Sequence, residues 1–155
     1  MKLVITSIIT LSAIFVSCQK KQALNAESIE IEVKEMFQAF DDSVRKNGME
    51  GEFYFLDQSD AFYWVPQDYK YAIDYDSIAS ILHANAAQFN YIDNRWEELR
   101  IMPLSEKYAS FNGIVISTVI TGQNDTTKTK LSETGIVVKR KDGWKLLSGQ
   151  TVIVD

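Results

Sequence analysis

At 155 residues, with 46% hydrophobic side chains, seven glycines and only two prolines, the chain has the size and composition of a single globular domain, which excludes a low-complexity or disordered protein. Its formal net charge of −5 argues against a nucleic-acid partner, because such proteins present a basic face. One His and one Cys exclude a metal site built from those two residue types, and we expect neither a metal nor a cofactor.

The first 17 residues are predicted to form an export signal. Lys2 is followed by a mostly apolar run over residues 3–16, which is shorter than the roughly 20 residues of a membrane-spanning helix. Cys18 closes the segment, which resembles a bacterial lipoprotein signal, in which the Cys becomes the lipidated first residue of the mature chain. The resemblance implies that residues 18–26 are the lipidated Cys and a tether. Because Phe15 stands where that pattern usually has Leu, a plain signal peptide is the alternative.

Residues 27–47 are predicted to form a long helix with one buried face. Asn25 is the expected N-cap, and Asn47-Gly48 is a typical helix end. The segment EGEFYFLDQ after it fits a short second helix or a turn. The apolar side chains of the long helix recur at helical spacing: Ile29, Val33, Met36, Phe37, Phe40 and Val44.

Two short strands and a further helix are predicted next. The segment DAFYWVP is rich in aromatic and β-branched residues and ends at Pro66, so it reads as a strand, with YAID as its partner. Asp76-Ser77 then caps a helix over residues 77–90, and Asn85 lies on the apolar side of that helix.

From Arg95 onward the sequence predicts four antiparallel strands. RWEELRIM has Pro103 just beyond it, which is typical of an edge strand. YASFNGIVISTVITG is apolar on both faces and is expected inside the sheet, while TKTKLSETGIVVKR and GWKLLSGQTVIV form a closing hairpin. Helices followed by antiparallel strands indicate an α+β fold, here with about three helices and six strands.

This order of elements resembles the nuclear-transport-factor-2-like superfamily, also called SnoaL-like or ketosteroid-isomerase-like. The resemblance covers residues 27–155 and is carried by the first helix with its Asn47-Gly48 end, by DAFYWVPQD, and by the closing VVKRKDGWKLLSGQ. It implies a cone-shaped barrel, in which a curved, mostly antiparallel sheet wraps around the long N-terminal helix and leaves a pocket. It also implies that the outer sheet face can form a homodimer.

Three positions that carry chemistry in members of that superfamily hold other residues here. The resemblance places Val65 at the general-base Asp of the isomerases, Asp41 at their oxyanion-binding Tyr, and Gln150 at a His of the last strand. Val cannot transfer a proton, and Gln cannot act as a base near neutral pH. We therefore predict no catalytic residue of the ketosteroid isomerase type.

Eight side chains are candidates for lining the pocket. We expect a three-residue turn at residues 141–143, which pairs Arg140 with Trp144 and places the polar groups of the last two strands on the inner face. A two-residue turn would place Lys139 and Lys141 on the Trp144 face, which is unfavourable for two lysines. For each candidate, a place in the core or on the surface is the alternative, and Glu133 is expected at the surface. The candidates are Asp41, Tyr63, Val65, Asn85, Thr134, Trp144, Ser148 and Gln150.

These features favour a non-catalytic pocket protein that binds a small, partly apolar ligand or a protein partner. The lipidation of Cys18 implied above would anchor it in the bacterial cell envelope, at the outer rather than the inner membrane. The first alternative is a SnoaL-like isomerase, dehydratase or hydrolase that uses Asp41 as acid or base and Gln150 to orient the substrate. The second alternative is a structural or assembly role without a pocket.

Overall fold

The computed structural model describes residues 24–154 and shows an α+β fold, in which one curved five-stranded sheet packs against a long helix. The predicted export signal over 1–17 and the lipidated Cys18 lie outside these residues. The helices are α1 (Ala26–Asn47) and α2 (Tyr75–Ala86), with a 3-10 helix over Gly48–Phe55 after α1. The strands are β1 (Tyr63–Val65), β2 (Phe89–Pro103), β3 (Tyr108–Thr121), β4 (Thr126–Arg140) and β5 (Gly143–Ile153).

The first helix confirms the prediction from its apolar spacing. The Asn25 side chain accepts a hydrogen bond from the Ser28 N–H at 3.3 Å, and Gly48, with a φ of +64°, ends the helix. Phe37 lies at the centre of the core, with its ring centroid 5.0 Å from that of Trp96 and 4.8 Å from that of Phe111. Within residues 24–154, no helix is long and apolar enough to span a membrane.

The sheet has the strand order β1-β5-β4-β3-β2. Its long strands are antiparallel, and only the short β1 runs parallel to its neighbour β5. β2 lies at one edge, as Pro103 predicts, and β3 is paired on both sides. The described residues hold five strands rather than six, because YAID contributes a single bridge, between Ile73 and Trp64. They hold two α-helices, since the predicted second helix is the 3-10 helix.

The closing hairpin corrects the predicted register. Its turn has two residues, so that Arg140 pairs with Gly143 and Lys139 with Trp144. Two contacts stabilise Lys139 at this position. Its ammonium group lies 5.6 Å from the centroid of the Trp144 ring, and it forms an ion pair with Glu32 of α1. The strand then bulges at Leu147, where the register shifts by one residue. A one-residue shift exchanges the inner and outer faces for the rest of the strand.

Candidate functional site

A partly open cavity of about 310 Å³ lies between the two α-helices, the 3-10 helix and the inner face of the sheet. Its walls are mostly apolar, with aromatic rings contributed by Phe40, Phe62, Trp64 and Phe89. The polar lining residues are Glu52, Gln67, Asn94, Ser117, Glu133 and Thr151, and the lining contains no Lys, Arg or His. An apolar cavity with a few convergent polar groups is typical of a site for a small molecule.

Two carboxyl groups share this cavity. Glu52 comes from the 3-10 helix, and Glu133 comes from β4 in the middle of the sheet. Burial, together with the smaller effect of the nearby Glu133 charge, raises the pKa of Glu52 to about 8. Burial also raises the pKa of Glu133 to about 7. Each group therefore gains or loses its proton close to neutral pH, and a general acid or base is most effective when its pKa lies near the working pH.

Glu133 is held by a short chain of hydrogen bonds across the sheet. The Thr151 hydroxyl donates to Glu133 Oε1 at 3.3 Å, and it accepts a hydrogen bond from the Trp64 indole N–H at 3.1 Å. Because an indole nitrogen can only donate, it leaves the hydroxyl proton free for the carboxyl group. This hydrogen bond favours the ionised form and lowers the pKa of Glu133, against the larger effect of burial.

The close approach of Trp64 depends on Gly149. A Cβ atom at Gly149 would lie 2.5 Å from the Thr134 carbonyl oxygen and 2.7 Å from the indole ring. Both distances are too short for a carbon atom, so only glycine leaves room for the indole ring against β5. β1, β4 and β5 together therefore position the Glu133 carboxyl.

Asp41 lies near this site but is absent from the cavity lining. It is buried on α1, with 9% of its surface exposed. Burial raises the pKa of Asp41 to about 7, and the charge of Glu133 is the second cause. No side chain within residues 24–154 forms a hydrogen bond with its carboxyl group. Asp41 thus adds to the negative potential behind the cavity without facing it.

Gln150 and its neighbours lie on the other face of the sheet. Gln150 is exposed and pairs with Thr134 on one side and with Val65 on the other. Since Thr151 and Trp64 line the cavity, the residues next to them in β5 and β1 point away from it. Tyr63, next to Trp64, is 53% exposed. Asp41 and Gln150 are therefore not brought together in one site.

The remaining candidates have structural contacts outside the cavity. Trp144 lies in the core and donates its indole N–H to a Glu32 oxygen at 2.8 Å. Asn85 donates to the Ile81 carbonyl oxygen at 2.8 Å near the end of α2. Ser148 is buried beside the bulge of β5. None of the eight predicted side chains is among the lining residues of this cavity.

The prediction that Glu133 lies at the surface is wrong, and the sequence contained a signal against it. In β4, Glu133 alternates in step with Leu131 and Val137, both apolar, and a strand presents every second residue to the same face. That periodicity places the carboxyl group on the buried face. Glu52 lies in a 3-10 helix, in which every third residue shares a face, and Met49 lines the same cavity. The sequence predicted only a short helix or a turn there, so that face could not be assigned. Within residues 24–154, no cluster of three potential ligands is arranged to hold a metal ion.

Comparisons with known proteins identify the fold. No family model matches the chain, and no curated protein matches it in sequence. A proposed scytalone dehydratase from Novosphingobium aromaticivorans aligns with a TM-score of 0.70 at 12% identity, over 81% of this chain and 83% of that one. A nuclear-transport-factor-2-like superfamily protein from Salmonella enterica aligns with a TM-score of 0.67 at 12% identity, over 81% and 90%.

A third solved structure is a proposed dehydratase of the same superfamily from Streptomyces avermitilis. It aligns with a TM-score of 0.64 at 16% identity, over 83% of this chain and 98% of that one. At such identities the likeness establishes a nuclear-transport-factor-2-like fold, which confirms the fold predicted from the order of elements. It does not extend to an activity.

Proposed function

We propose that this protein is a lipid-anchored envelope protein whose cone-shaped domain binds a small, mostly apolar molecule in the cavity between helices and sheet. One observation carries the proposal: apolar walls surround about 310 Å³ of space and converge on the polar groups Glu52 and Glu133. Apolar walls supply most of the binding free energy, while a few polar groups fix the orientation of the ligand. The anchor is supported by the signal-like segment that ends at Cys18.

Binding can be tested by filling the cavity. Ser117 is a small lining residue on β3, and Ser117→Phe would occupy the space that a ligand needs. Thr118 is the next residue of the same strand and faces the other side of the sheet, so Thr118→Phe is a matched control. N-phenyl-1-naphthylamine, an uncharged dye that fluoresces in apolar surroundings, is a suitable probe.

We expect the dye to brighten with the unmodified protein and with Thr118→Phe, and to remain dark with Ser117→Phe. Circular dichroism of all three proteins checks that they are folded. Equal dye binding by Ser117→Phe and the unmodified protein would refute the cavity as the binding site. Metabolic labelling with palmitate, compared between the unmodified chain and Cys18→Ser, tests the anchor separately.

The carboxyl pair favours a second candidate, an enzyme of the isomerase or dehydratase type. Glu133, with a pKa of about 7, is about half ionised at neutral pH and can accept a proton from a carbon atom next to a carbonyl group. Glu52, with a pKa of about 8, is mostly protonated and can donate a hydrogen bond to the carbonyl oxygen. Two carboxyl groups with different pKa values in one apolar site are a recurrent arrangement for acid–base chemistry.

This candidate differs from the enzyme that the sequence suggested, because Glu133 and Glu52 replace Asp41 and Gln150. It predicts that small ketones exchange their α-hydrogens with D₂O faster with the protein than in buffer. Glu133→Gln should abolish the acceleration, and Glu35→Gln, an exposed acid of α1, should leave it unchanged. Exchange at the buffer rate for a series of cyclic and aromatic ketones would refute the candidate and leave the binding proposal intact.

A further inference from the structure

We infer that the cavity selects a protonated amine with an apolar body over neutral and anionic molecules of the same shape. The inference rests on the proposed binding function and specifies the charge of the ligand. It follows from the charges around the cavity, from a carboxyl group without a partner, and from the aromatic walls.

The cavity has acidic groups and no basic group to balance them. Glu52 and Glu133 are the charged residues of its lining, and Asp41 of α1 is close enough for the charge of Glu133 to affect its pKa. β3 and β5 contribute only uncharged side chains to the lining, such as Ser117 and Thr151. An anionic ligand would therefore meet only like charges, whereas a cation would meet two or three acidic groups.

Basic side chains on the two α-helices that border the cavity are engaged elsewhere. Arg45, whose charge acts on Asp41, is bound to Asp42 and to Asp93, each at 2.7 Å. On α2, His83 is exposed and lies 3.8 Å from Glu50, outside the cavity lining. Neither Arg45 nor His83 is free to neutralise the cavity carboxyls, so a bound ammonium group would supply the missing countercharge.

The Glu52 carboxyl is the group in the lining that an ammonium group would bind. The residue is partly buried and lines the partly open cavity. No group within residues 24–154 donates a hydrogen bond to it, whereas Glu133 has its bond from Thr151. A carboxyl group that faces an apolar cavity is stabilised when a hydrogen-bond donor binds it. A ligand N–H group in the cavity would provide the partner.

The aromatic walls suit the rest of such a ligand. The rings of Phe40, Phe62, Trp64 and Phe89 line the cavity together with aliphatic side chains from α2. They can bury an apolar body, and the faces of aromatic rings attract ammonium groups. The chemistry that fits the cavity is thus one ammonium group attached to a compact hydrocarbon.

Charge selection makes the pH dependence of binding differ between ligand classes. In the empty cavity, burial raises the pKa of Glu133 to about 7 and that of Glu52 to about 8. An ammonium group favours the ionised carboxyls, so its binding releases protons and strengthens as pH rises. A neutral alcohol can accept a hydrogen bond from a protonated carboxyl or donate one to an ionised carboxyl, so its binding should change little with pH.

Three probes with one carbon skeleton test the inference: 4-phenylbutylamine, 4-phenylbutanol and 4-phenylbutanoate. Calorimetric titrations at pH 6 and pH 8.5 give the affinities, and two buffers with different ionisation enthalpies at pH 7 reveal proton release. Between these pH values, Glu133 changes from about one-tenth ionised to almost fully ionised, given its pKa of about 7. The amine should therefore bind at least about tenfold more tightly at pH 8.5, and the anion should not bind.

Variants in which an amide of the same size replaces each carboxyl test whether Glu52 and Glu133 cause the preference for the amine. Glu52→Gln combined with Glu133→Gln should abolish the preference for the amine and its pH dependence, while binding of the alcohol persists and reports an intact cavity. Glu35→Gln, an exposed acid of α1, is the control and should change neither.

If the alcohol binds as tightly as the amine, or if the affinity for the amine does not rise with pH, the inference is overturned and the binding proposal stands. If none of the three probes binds and the uncharged dye also fails to bind, the binding proposal itself is refuted. The two failures are therefore distinguishable.

Discussion

Replacing Glu133 by Gln is expected to stabilise the protein at pH 8 and to leave its stability nearly unchanged at pH 4.5. In the folded chain, burial raises the pKa of this carboxyl from its ordinary value of 4.5 to about 7. Below pH 4.5 the carboxyl is protonated in both the folded and the unfolded state, so its protonation does not affect the free energy of unfolding. Above that pH the unfolded state releases the proton first, and the folded state loses stability relative to it until the pH passes about 7.

The magnitude follows from the difference between the two pKa values. From 4.5 to about 7 is about 2.5 pH units, and each unit corresponds to 1.36 kcal/mol. The folded state thus loses about 3 kcal/mol between pH 4.5 and pH 8, and Gln, which does not ionise, avoids the loss. Gln can still accept the Thr151 hydrogen bond. Removing the Glu133 charge also lowers the pKa of Glu52 and of Asp41, which acts in the same direction.

Thermal unfolding followed by circular dichroism at pH 4.5, 6 and 8 measures the effect. For a domain of this size we expect Glu133→Gln to raise Tm by about 10 °C at pH 8, since 1 kcal/mol shifts Tm by roughly 3–5 °C. Glu35→Gln, on the exposed face of α1, should follow the unmodified protein at every pH. A Tm difference between Glu133→Gln and the unmodified protein that stays constant from pH 4.5 to pH 8 would show that Glu133 is not a buried, proton-retaining group.

Three further substitutions test the surroundings of the site and the core. Gly149→Ala should destabilise the protein by about 1–3 kcal/mol because the new Cβ meets a backbone oxygen at 2.5 Å, whereas Gly122→Ala, with its nearest atom at 3.9 Å, should have little effect in urea titrations. Thr151→Val should reduce stability by about 1–2 kcal/mol and change the tryptophan fluorescence, since an indole N–H loses its acceptor. Asp57→Asn removes the paired bonds from Arg140, both 2.8 Å long, and should destabilise by about 2 kcal/mol at pH 7. Because those bonds lower the pKa of Asp57 below its ordinary 3.8, the loss should shrink as pH falls below that value.

The long helix and the order of elements could be predicted because they depend on local patterns. A stripe of apolar residues at helical spacing, an Asn at the start and a Gly at the end together specify α1. Alternating residues and turn signals likewise specify the strands of the second half. The YAID segment was predicted as a strand but forms one bridge, since Asp74 accepts a hydrogen bond from the Ser77 N–H at 2.9 Å and begins α2 there. The residue pattern of YAID favours a strand, whereas Asp74 favours the start of a helix, and the helix forms.

Which side chains of the last two strands face inward could not be predicted, because this depends on the length of one turn and on one bulge. The turn has two residues instead of three, and β5 bulges at Leu147. Each feature changes which side chains face inward. Lys139 was not expected on the same face as Trp144, because a lysine without a partner is unfavourable on a buried face. In the structure its ammonium pairs with Glu32 and lies over the indole, and both contacts join residues that are far apart in the sequence.

The cavity carboxyls bear on the choice between a ligand site and a purely structural role. Glu52 and Glu133 lower the stability of the empty domain at neutral pH, because burial raises the pKa of each well above its ordinary value of 4.5. Gln at either position would keep the size and the hydrogen-bonding capacity of the side chain without that loss. A domain that only fills space in an assembly gains nothing from ionisable groups in its interior, whereas a site that binds a cation or transfers a proton depends on them. The pair therefore favours binding or chemistry in the cavity over an assembly role. A pH dependence found for the amine but not for the alcohol would separate electrostatic recognition from simple burial of an apolar molecule.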